Sequence, residues 1–288
     1  GYYSTFGYIS EARRMGLRVL PPDINQSEIK YTGKDQAIRI GLMQIKELSR
    51  EAMEYIVYER TGNGLFESMD NFLARMTGHA HLQDLRVLIK AGCFDSINQA
   101  GKSRPALIWQ ALDFFAKKEE KKIQTLFDWN RKSSEQSQTE SRNKDYPEHV
   151  RLKHESETIG FLYSIHPLDL YKKVIAGITH IRSSDISRHI GRNVTLIGWL
   201  VTGKTVSSKN GDPMKFISFE DTTGIYETIF FPKVYDRYCH MLNASRPYII
   251  KGKVEEDFGA ININVGWVGF LDRYEKKDTN RKKSYTAP

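Results

Sequence analysis

Apolar positions along this chain change their period several times, and the changes divide it. Near the N-terminus Phe6, Ile9, Ala12 and Met15 recur at helical spacing, and Gly16 stands where a helix would stop. Residues 17–20 predict a short strand, broken by Pro21-Pro22. Ile40, Leu42 and Ile45 are followed by a break at Glu47-Leu48. Ser49 is placed to cap a helix whose apolar stripe is Ala52, Met53, Ile56 and Val57. Ser68 caps a helix over 69–76, and Leu82, Leu85, Leu88 and Ile89 stripe another that stops at Gly92. Ser103 and Pro105 open a further helix containing Ile108, Ala111, Leu112 and Phe115. Residues 36–116 therefore read as an all-helical unit of short helices and tight hairpins.

After Phe115 the pattern breaks. A charge cluster at 117–122 reads as the solvated end of a helix, and residues 131–145 contain no apolar side chain. Such a stretch cannot bury enough surface to order itself, so 117–150 is expected to be a flexible linker. Within it, residues 123–127 form an isolated apolar patch: either a docking peptide or a cap on the helical unit. Residues 150–175 return to helix, with Ile159, Leu162 and Tyr163 on one face and His166-Pro167 at its end.

From Gly191 the period becomes that of strands. Residues 193–202 are β-branched and interrupted by Gly198, which marks a bulge or a barrel bend. Asn210-Gly211 turns the chain into an alternating strand at 214–220, and residues 221–224 turn it back into 225–231. Residues 234–241 read as helix, and 247–254 and 260–268 as the last two strands, joined by an acidic turn ending at Gly259. Three strands, a helix and two strands in about eighty residues is the order of a five-stranded OB barrel, a fold whose open face commonly binds single-stranded nucleic acid. The chain is thus read as α+β and multidomain: a helix-hairpin-helix unit, a connecting helix over 151–175, an OB-fold barrel over 176–271 and a disordered basic tail over 272–288.

Composition adds limits. The chain has 288 residues, 40% hydrophobic and 27% charged, with no apolar run long enough to span a membrane. It lacks a signal pattern and an initiator Met, which suggests a fragment of something longer. Cys93 and Cys239 are far apart with no Cys-x-x-Cys spacing, so neither a disulfide framework nor a zinc site is expected, and a reducing, cytoplasmic compartment fits. His79-x-His81 reads as a loop pair and not as a ligand pair. A net charge of +8 points to a polyanion, but no segment is a basic block, so any grip on nucleic acid must come from placed side chains.

Several strings, in one order along the chain, resemble a single family, the alpha subunit of bacterial DNA polymerase III. They are Tyr8-Ile9-Ser10-Glu11-Ala12-Arg13-Arg14-Met15-Gly16, Leu20-Pro21-Pro22-Asp23-Ile24-Asn25, and Leu88-Ile89-Lys90-Ala91-Gly92-Cys93-Phe94-Asp95. Gly160-Phe161-Leu162-Tyr163-Ser164-Ile165-His166-Pro167-Leu168 follows, then the barrel strings at 213–216, 219–224 and 231–232. The resemblance implies that residues 1–35 end the fingers region and that 36–116 grip duplex backbone. It implies that 117–150 contact the sliding clamp, and that the barrel lies near the single-stranded template. The palm with its metal-binding aspartates would precede residue 1. No cofactor is therefore expected in this chain, with Mg2+ belonging to the missing palm, and no polymerase activity is expected from it alone. Two-metal phosphoryl transfer needs clustered carboxylates, and these are scattered. Asp221, the nearest candidate, is better explained as the first residue of a turn.

Candidate contacts follow. A helix-hairpin-helix holds phosphates through backbone N–H groups of a glycine-rich hairpin and a neighbouring cation. The first hairpin here reads Lys46-Glu47-Leu48-Ser49, with no glycine and an acid that repels phosphate. Lys46 either reaches a phosphate or is a solvated surface lysine. Lys90 and Gly92 keep the second hairpin's pattern, although Gly92 serves equally as a helix stop. In the barrel, alternation puts Ile217 and Phe219 in the core and Phe216 outside, where it either stacks on a base or is buried like most strand aromatics. Lys204 and Lys209, in the loop flanking the binding face, are the phosphate candidates, with Lys215 beside Phe216. For the clamp, the family's peptide has Gln four residues before Phe; here Gln124 lies three before Phe127, and Leu126 and Phe127 are left to fill an apolar pocket. Expected partners are DNA, the clamp and other replisome subunits. The rivals are a barrel that binds protein (clamp or clamp loader) and not DNA, and an anticodon-binding type of accessory domain, in which the 8–25 and 160–168 strings would have no place.

Overall fold

The first helix, α1 (Thr5–Arg14), begins at Ser4, whose Oγ accepts the Gly7 N–H at 3.3 Å. The computed structural model describes residues 4–98, 101–123, 144–208 and 210–271 and divides into two units. One comprises residues 16–164; the other joins residues 1–15 to 165–288. Among the described residues no helix is long and apolar enough to cross a membrane.

The 16–164 unit opens with a small sheet. β1 (Arg18–Leu20) runs parallel to β3 (Ala37–Arg39), and β2 (Thr32–Lys34) pairs antiparallel on the other side of β3. The β2–β3 turn places Asp35 and Gln36 at φ +50° and +56°, the handedness that matches strand twist. The unit is therefore not all-helical from residue 36. Strands of three residues carry no readable two-residue period, and Asp-Gln lacks the glycine that flags such a turn. The helices are α2 (Arg50–Asn63), α3 (Met69–Arg75), α4 (Leu82–Ala91), α5 (Arg104–Ile123) and α6 (Glu148–Ile159). Ser49 and Ser68 cap α2 and α3 by accepting the Ala52 and Asn71 N–H groups, each at 3.2 Å. The core centres on Phe72, which meets Phe66 and Phe94 edge-on at 4.8 and 4.9 Å between centroids. All three rings are buried, each worth roughly 1.5–3 kcal/mol on transfer from water.

α6 ends at Gly160, earlier than the helix read through 150–175. The buried carboxylate of Glu155 accepts the backbone N–H groups of Tyr163 and Ser164 and the Ser164 hydroxyl, folding the chain back on the helix. Leu162 and Tyr163 accordingly lie beyond the helix.

In the other unit, five strands close a barrel. They are β4 (Asn193–Ser207), β5 (Pro213–Glu220), β6 (Ile225–Phe230), β7 (Pro247–Asp257) and β8 (Ala260–Phe270). Their order is β4-β5-β6-β8-β7, with β6 and β8 parallel, the other pairs antiparallel, and β7 returning to β4. A helix falls between the third and fourth strands as the sequence predicts; with α7 being Lys172–Ile175, this one is α8 (Pro232–Tyr238). Pro232 is its first residue, where a missing N–H costs nothing. Inward residues such as Ile217, Phe219, Phe230, Tyr248 and Ile250 form the core. The bulges in this barrel fall at Leu200/Thr202 and Lys251/Gly252, not at Gly198. Gly198 serves a different need: a Cβ there would collide with the Tyr226 phenol and the Phe219 side chain.

Two segments assigned elsewhere on sequence grounds pack on this barrel. Residues 167–175 cover Ile197, Ile249 and Leu271 with Leu168, Tyr171, Val174 and Ile175, so the division falls at 164/165 and not at 175/176. α1 attaches through Glu220, which is 0% exposed. Its carboxylate accepts Ser10 Oγ at 2.7 Å and Arg14 Nη1 at 2.9 Å, and His166 Nε2 lies 3.1 Å away. Residues 1–15 thus leave the 1–35 segment in which the sequence reading grouped them.

Candidate nucleic-acid interface

On β5, Ile217 and Phe219 are fully buried, and Phe216 points outward, 37% exposed. Register sets its neighbours: Lys204 of β4 lies opposite on one side and Ile229 of β6 on the other. Directly opposed residues share one face, so an exposed ring stands between a cation and an aliphatic side chain. The next outward position, Ser218, donates to Glu227 at 2.7 Å, and the one after is Glu220 under α1. The open part of β5 is therefore its Phe216 end.

Lys215 does not join Phe216. Alternation sends it to the opposite side, where its Nζ donates to the Leu242 carbonyl at 2.8 Å. Lys209 lies outside the described residues, as do Gln124, Leu126 and Phe127.

A residue that sequence reasoning passed over stands at the β7–β8 turn. Asp257 pairs with Ala260, and the two residues between, Phe258 and Gly259, take φ +48° and +80°. Phe258 is fully exposed. A side chain larger than Asn in this left-handed region costs of order 1 kcal/mol, and such strain concentrates at functional sites. The readable signal was an aromatic next to Gly between two alternating runs; the surrounding acids made the stretch look like a plain polar turn.

Asp221 behaves as the turn residue expected. Its Oδ1 accepts the N–H groups of Thr223 and Gly224 at 2.7 and 3.0 Å, and its Oδ2 accepts that of Ser183 at 2.7 Å. Burial alone would raise its pKa, but the hydrogen bonds from Ser183 and Thr223 prevail and hold it below the ordinary carboxylate value. Among the described residues, no group of three or more His, Cys, Asp or Glu is arranged to hold a metal ion. His79 instead stacks on Tyr55 at 3.7 Å and sits 3.2 Å from Glu51.

In both helical hairpins most of the backbone donors are engaged within the unit. At the first, the N–H of Lys46 goes to the Thr158 carbonyl at 2.7 Å and that of Ser49 to Asp84 Oδ1 at 2.7 Å. Leu48 N–H bonds back to the Ile45 carbonyl at 3.4 Å. Glu47 occupies φ +63°, a conformation natural to glycine, and its carboxylate accepts Gln83 Nε2 at 2.7 Å. The Lys46 side chain is exposed and reaches over Gly160. At the second hairpin Gly92 takes φ +83° and gives its N–H to Ile89, and Cys93 bonds to Leu88. Glycine suits that φ, and a Cβ there would also displace the end of the Arg104 side chain, whose Nη2 would lie 2.6 Å away. Lys90 is half-buried two residues before it.

Similarity to known proteins agrees with both units. The helix-hairpin-helix motif family matches residues 16–106, and the family described as an OB-fold nucleic acid binding domain matches residues 194–266. DNA polymerase III subunit alpha of Saccharopolyspora erythraea is 28% identical over 272 residues, covering 89% of this chain and 23% of that protein. The subunit of Escherichia coli K12 is 29% identical over 284 residues, with 94% and 24% covered, and that of Borreliella burgdorferi 30% over 269, with 89% and 22% covered. The chain thus spans less than a quarter of the length of these relatives. A replication protein A domain from Methanococcus maripaludis aligns with 32% of this chain and 94% of its own at 16% identity, with a TM-score of 0.28 that adds nothing to the fold read from the strands. Over nearly all its length, and with both domain types in sequence, the chain is similar to one part of DNA polymerase III alpha subunits.

Proposed function

We propose that this chain is a DNA-holding segment of a polymerase alpha subunit, and that its barrel unit carries single-stranded template across β5 and β6. The observation that carries the reading is Phe216, an outward aromatic in register with Lys204 on the open end of β5. A π-face beside a cation is the means by which OB barrels hold single strands without reading sequence. The loops flanking that face in OB folds are the first-to-second-strand and fourth-to-fifth-strand connections. Here these are the 208–212 loop and the turn that presents Phe258. In this reading the helical unit meets duplex DNA through the Lys46 and Lys90 side chains, since most of its hairpin N–H groups are engaged. No residue of the chain is assigned a catalytic role or a cofactor.

Fluorescence anisotropy of the whole chain with labelled oligonucleotides tests this. Phe216→Ala is expected to weaken single-strand binding about 10- to 100-fold, the loss of one stacked base, while leaving the thermal midpoint nearly unchanged. Unchanged affinity would remove Phe216 from the interface. The rival reading, a protein-binding barrel, draws on Glu227 and Glu255, which put carboxylates on the same outer surface. It predicts affinity for a clamp or clamp-loader protein and none for DNA at low salt.

A further inference from the structure

We infer that the barrel has a second single-strand contact surface, on the outer face of β4, β7 and β8, built from two lysines and a tryptophan. The inference rests on the reading that the barrel unit binds single-stranded DNA, and it concerns β7 and β8, which do not border Phe216, together with the Asn193 end of β4, about ten residues from Lys204.

A groove of about 390 Å³ lies there, lined by Asn193 and Thr195 of β4, Lys251 and Lys253 of β7, and Asn264 and Trp267 of β8. Strand alternation puts Lys251 and Lys253 on the solvent side and buries Gly252 and Val254 beneath them. Register arranges the lining in two rows. Thr195, Lys251 and Trp267 lie side by side, and Asn193, Lys253 and Asn264 form the row next to them. The bulge between Lys251 and Gly252 leaves Gly266 without a paired residue, and a bulge of this kind re-aims the side chain that follows it. Trp267 is half-buried, and Lys251 Nζ lies 5.4 Å from its ring centroid. Gly266 is exposed, and a Cβ there would meet only the Lys251 carbonyl oxygen, at 3.9 Å, so the groove floor is open.

The chemistry matches a polynucleotide strand. Residues two apart on one side of a strand have backbone positions roughly 6.6–6.8 Å apart, close to the separation of successive phosphates in an extended nucleic-acid strand, so two lysines so placed can each reach one phosphate. Trp267 adds a π-face and Asn193 and Thr195 add hydrogen-bonding groups for sugar or base edges. Lys253 also pairs with Glu255 at 3.1 Å, but both are solvent-accessible, and an exposed pair contributes too little to keep a phosphate away.

The test uses the whole chain, a fluorescein-labelled oligo(dT) and a salt series, with the variant Lys251→Glu/Lys253→Glu beside Phe216→Ala. The inference expects at least a tenfold loss of affinity in the double variant. It also expects Lys251→Gln/Lys253→Gln, which keeps shape and removes charge, to flatten the slope of log K against log salt by about 1.4, two contacts at about 0.7 each for a single strand. The Gln variant also serves if the Glu variant fails to fold. Affinity and slope unchanged in the Gln variant, with Phe216→Ala still weakened, would overturn the second surface and leave the first standing. Neither variant changing anything would overturn both.

Discussion

At the first helical hairpin, Lys46, Leu48 and Ser49 all give their backbone N–H groups to partners within the same unit. On the barrel, the Phe216 ring stands exposed in line with Lys204. Both regions belong to types associated with nucleic acid, and both present lysine. The difference is what is already bonded: a hairpin grips phosphate with donors that point outward, and here Thr158, Ile45 and Asp84 have taken those of Lys46, Leu48 and Ser49. The stacking surface of an aromatic ring needs no donor and stays available when it is exposed. The lesson is that a motif's presence and its readiness to bind are separate properties, and hydrogen-bond accounting tells them apart.

The largest expected effect concerns the end of β5 that is closed. Glu220→Ala leaves Arg14 and His166 around a lost carboxylate, and breaking a buried charged pair this way costs about 3–5 kcal/mol. Chemical denaturation followed by tryptophan fluorescence should show that loss, while single-strand affinity under folding conditions should be retained. Loss of affinity at full stability would mean that the α1-covered end, and not the Phe216 end, carries the contact. Next in size is Phe258→Ala, expected to cost single-strand binding about 1–3 kcal/mol if the β7–β8 turn stacks on a base. Its stability should hold or rise slightly, because alanine at φ +48° loses no packing.

Smaller still is Glu47→Gly. Releasing a non-glycine residue from φ +63° should stabilise the helical unit by about 1 kcal/mol, and removing the acid should tighten duplex binding. An electrophoretic titration with duplex DNA reads the second effect; duplex affinity unchanged by this variant would place the hairpin away from DNA altogether. The smallest effect is on pH. Asp221 is held below its ordinary carboxylate pKa in the fold, so its contribution to barrel stability is present above that ordinary value and is lost as pH falls through the lowered one. Denaturation midpoints across the acid range should therefore drop less in Asp221→Asn than in the unaltered chain.

Much of this was legible beforehand because it rests on period and caps. The five strands, the helix between the third and fourth, and the serines at 49 and 68 follow from side chains that act on their own neighbours. Phe216 was readable because Ile217 and Phe219 fix the parity of β5. What escaped depends on long-range partners. Glu155 ends the α6 region by bonding residues eight and nine positions on, and Glu220 draws in Ser10 and Arg14 from across the sequence. A carboxylate in a sequence does not announce whether it will be buried. Lys215 is a different case: the alternation that turns Phe216 outward already puts Lys215 on the Ile217–Phe219 side, and only nearness in sequence made it a candidate. The two-residue turn at 35–36 escaped because Asp and Gln hold conformations usually signalled by glycine or asparagine; the turn ending at Gly259 was readable, but not the left-handed, exposed Phe258 within it.

The most direct measurement is the ratio of single-strand to duplex affinity of the unaltered chain, read by anisotropy across a salt series. The account predicts a clear preference for single strands, weakening steeply as salt rises because phosphate contacts release counterions. Equal or stronger binding to duplex would contradict it and would place the main grip in the helical hairpins whose donors this structure shows engaged.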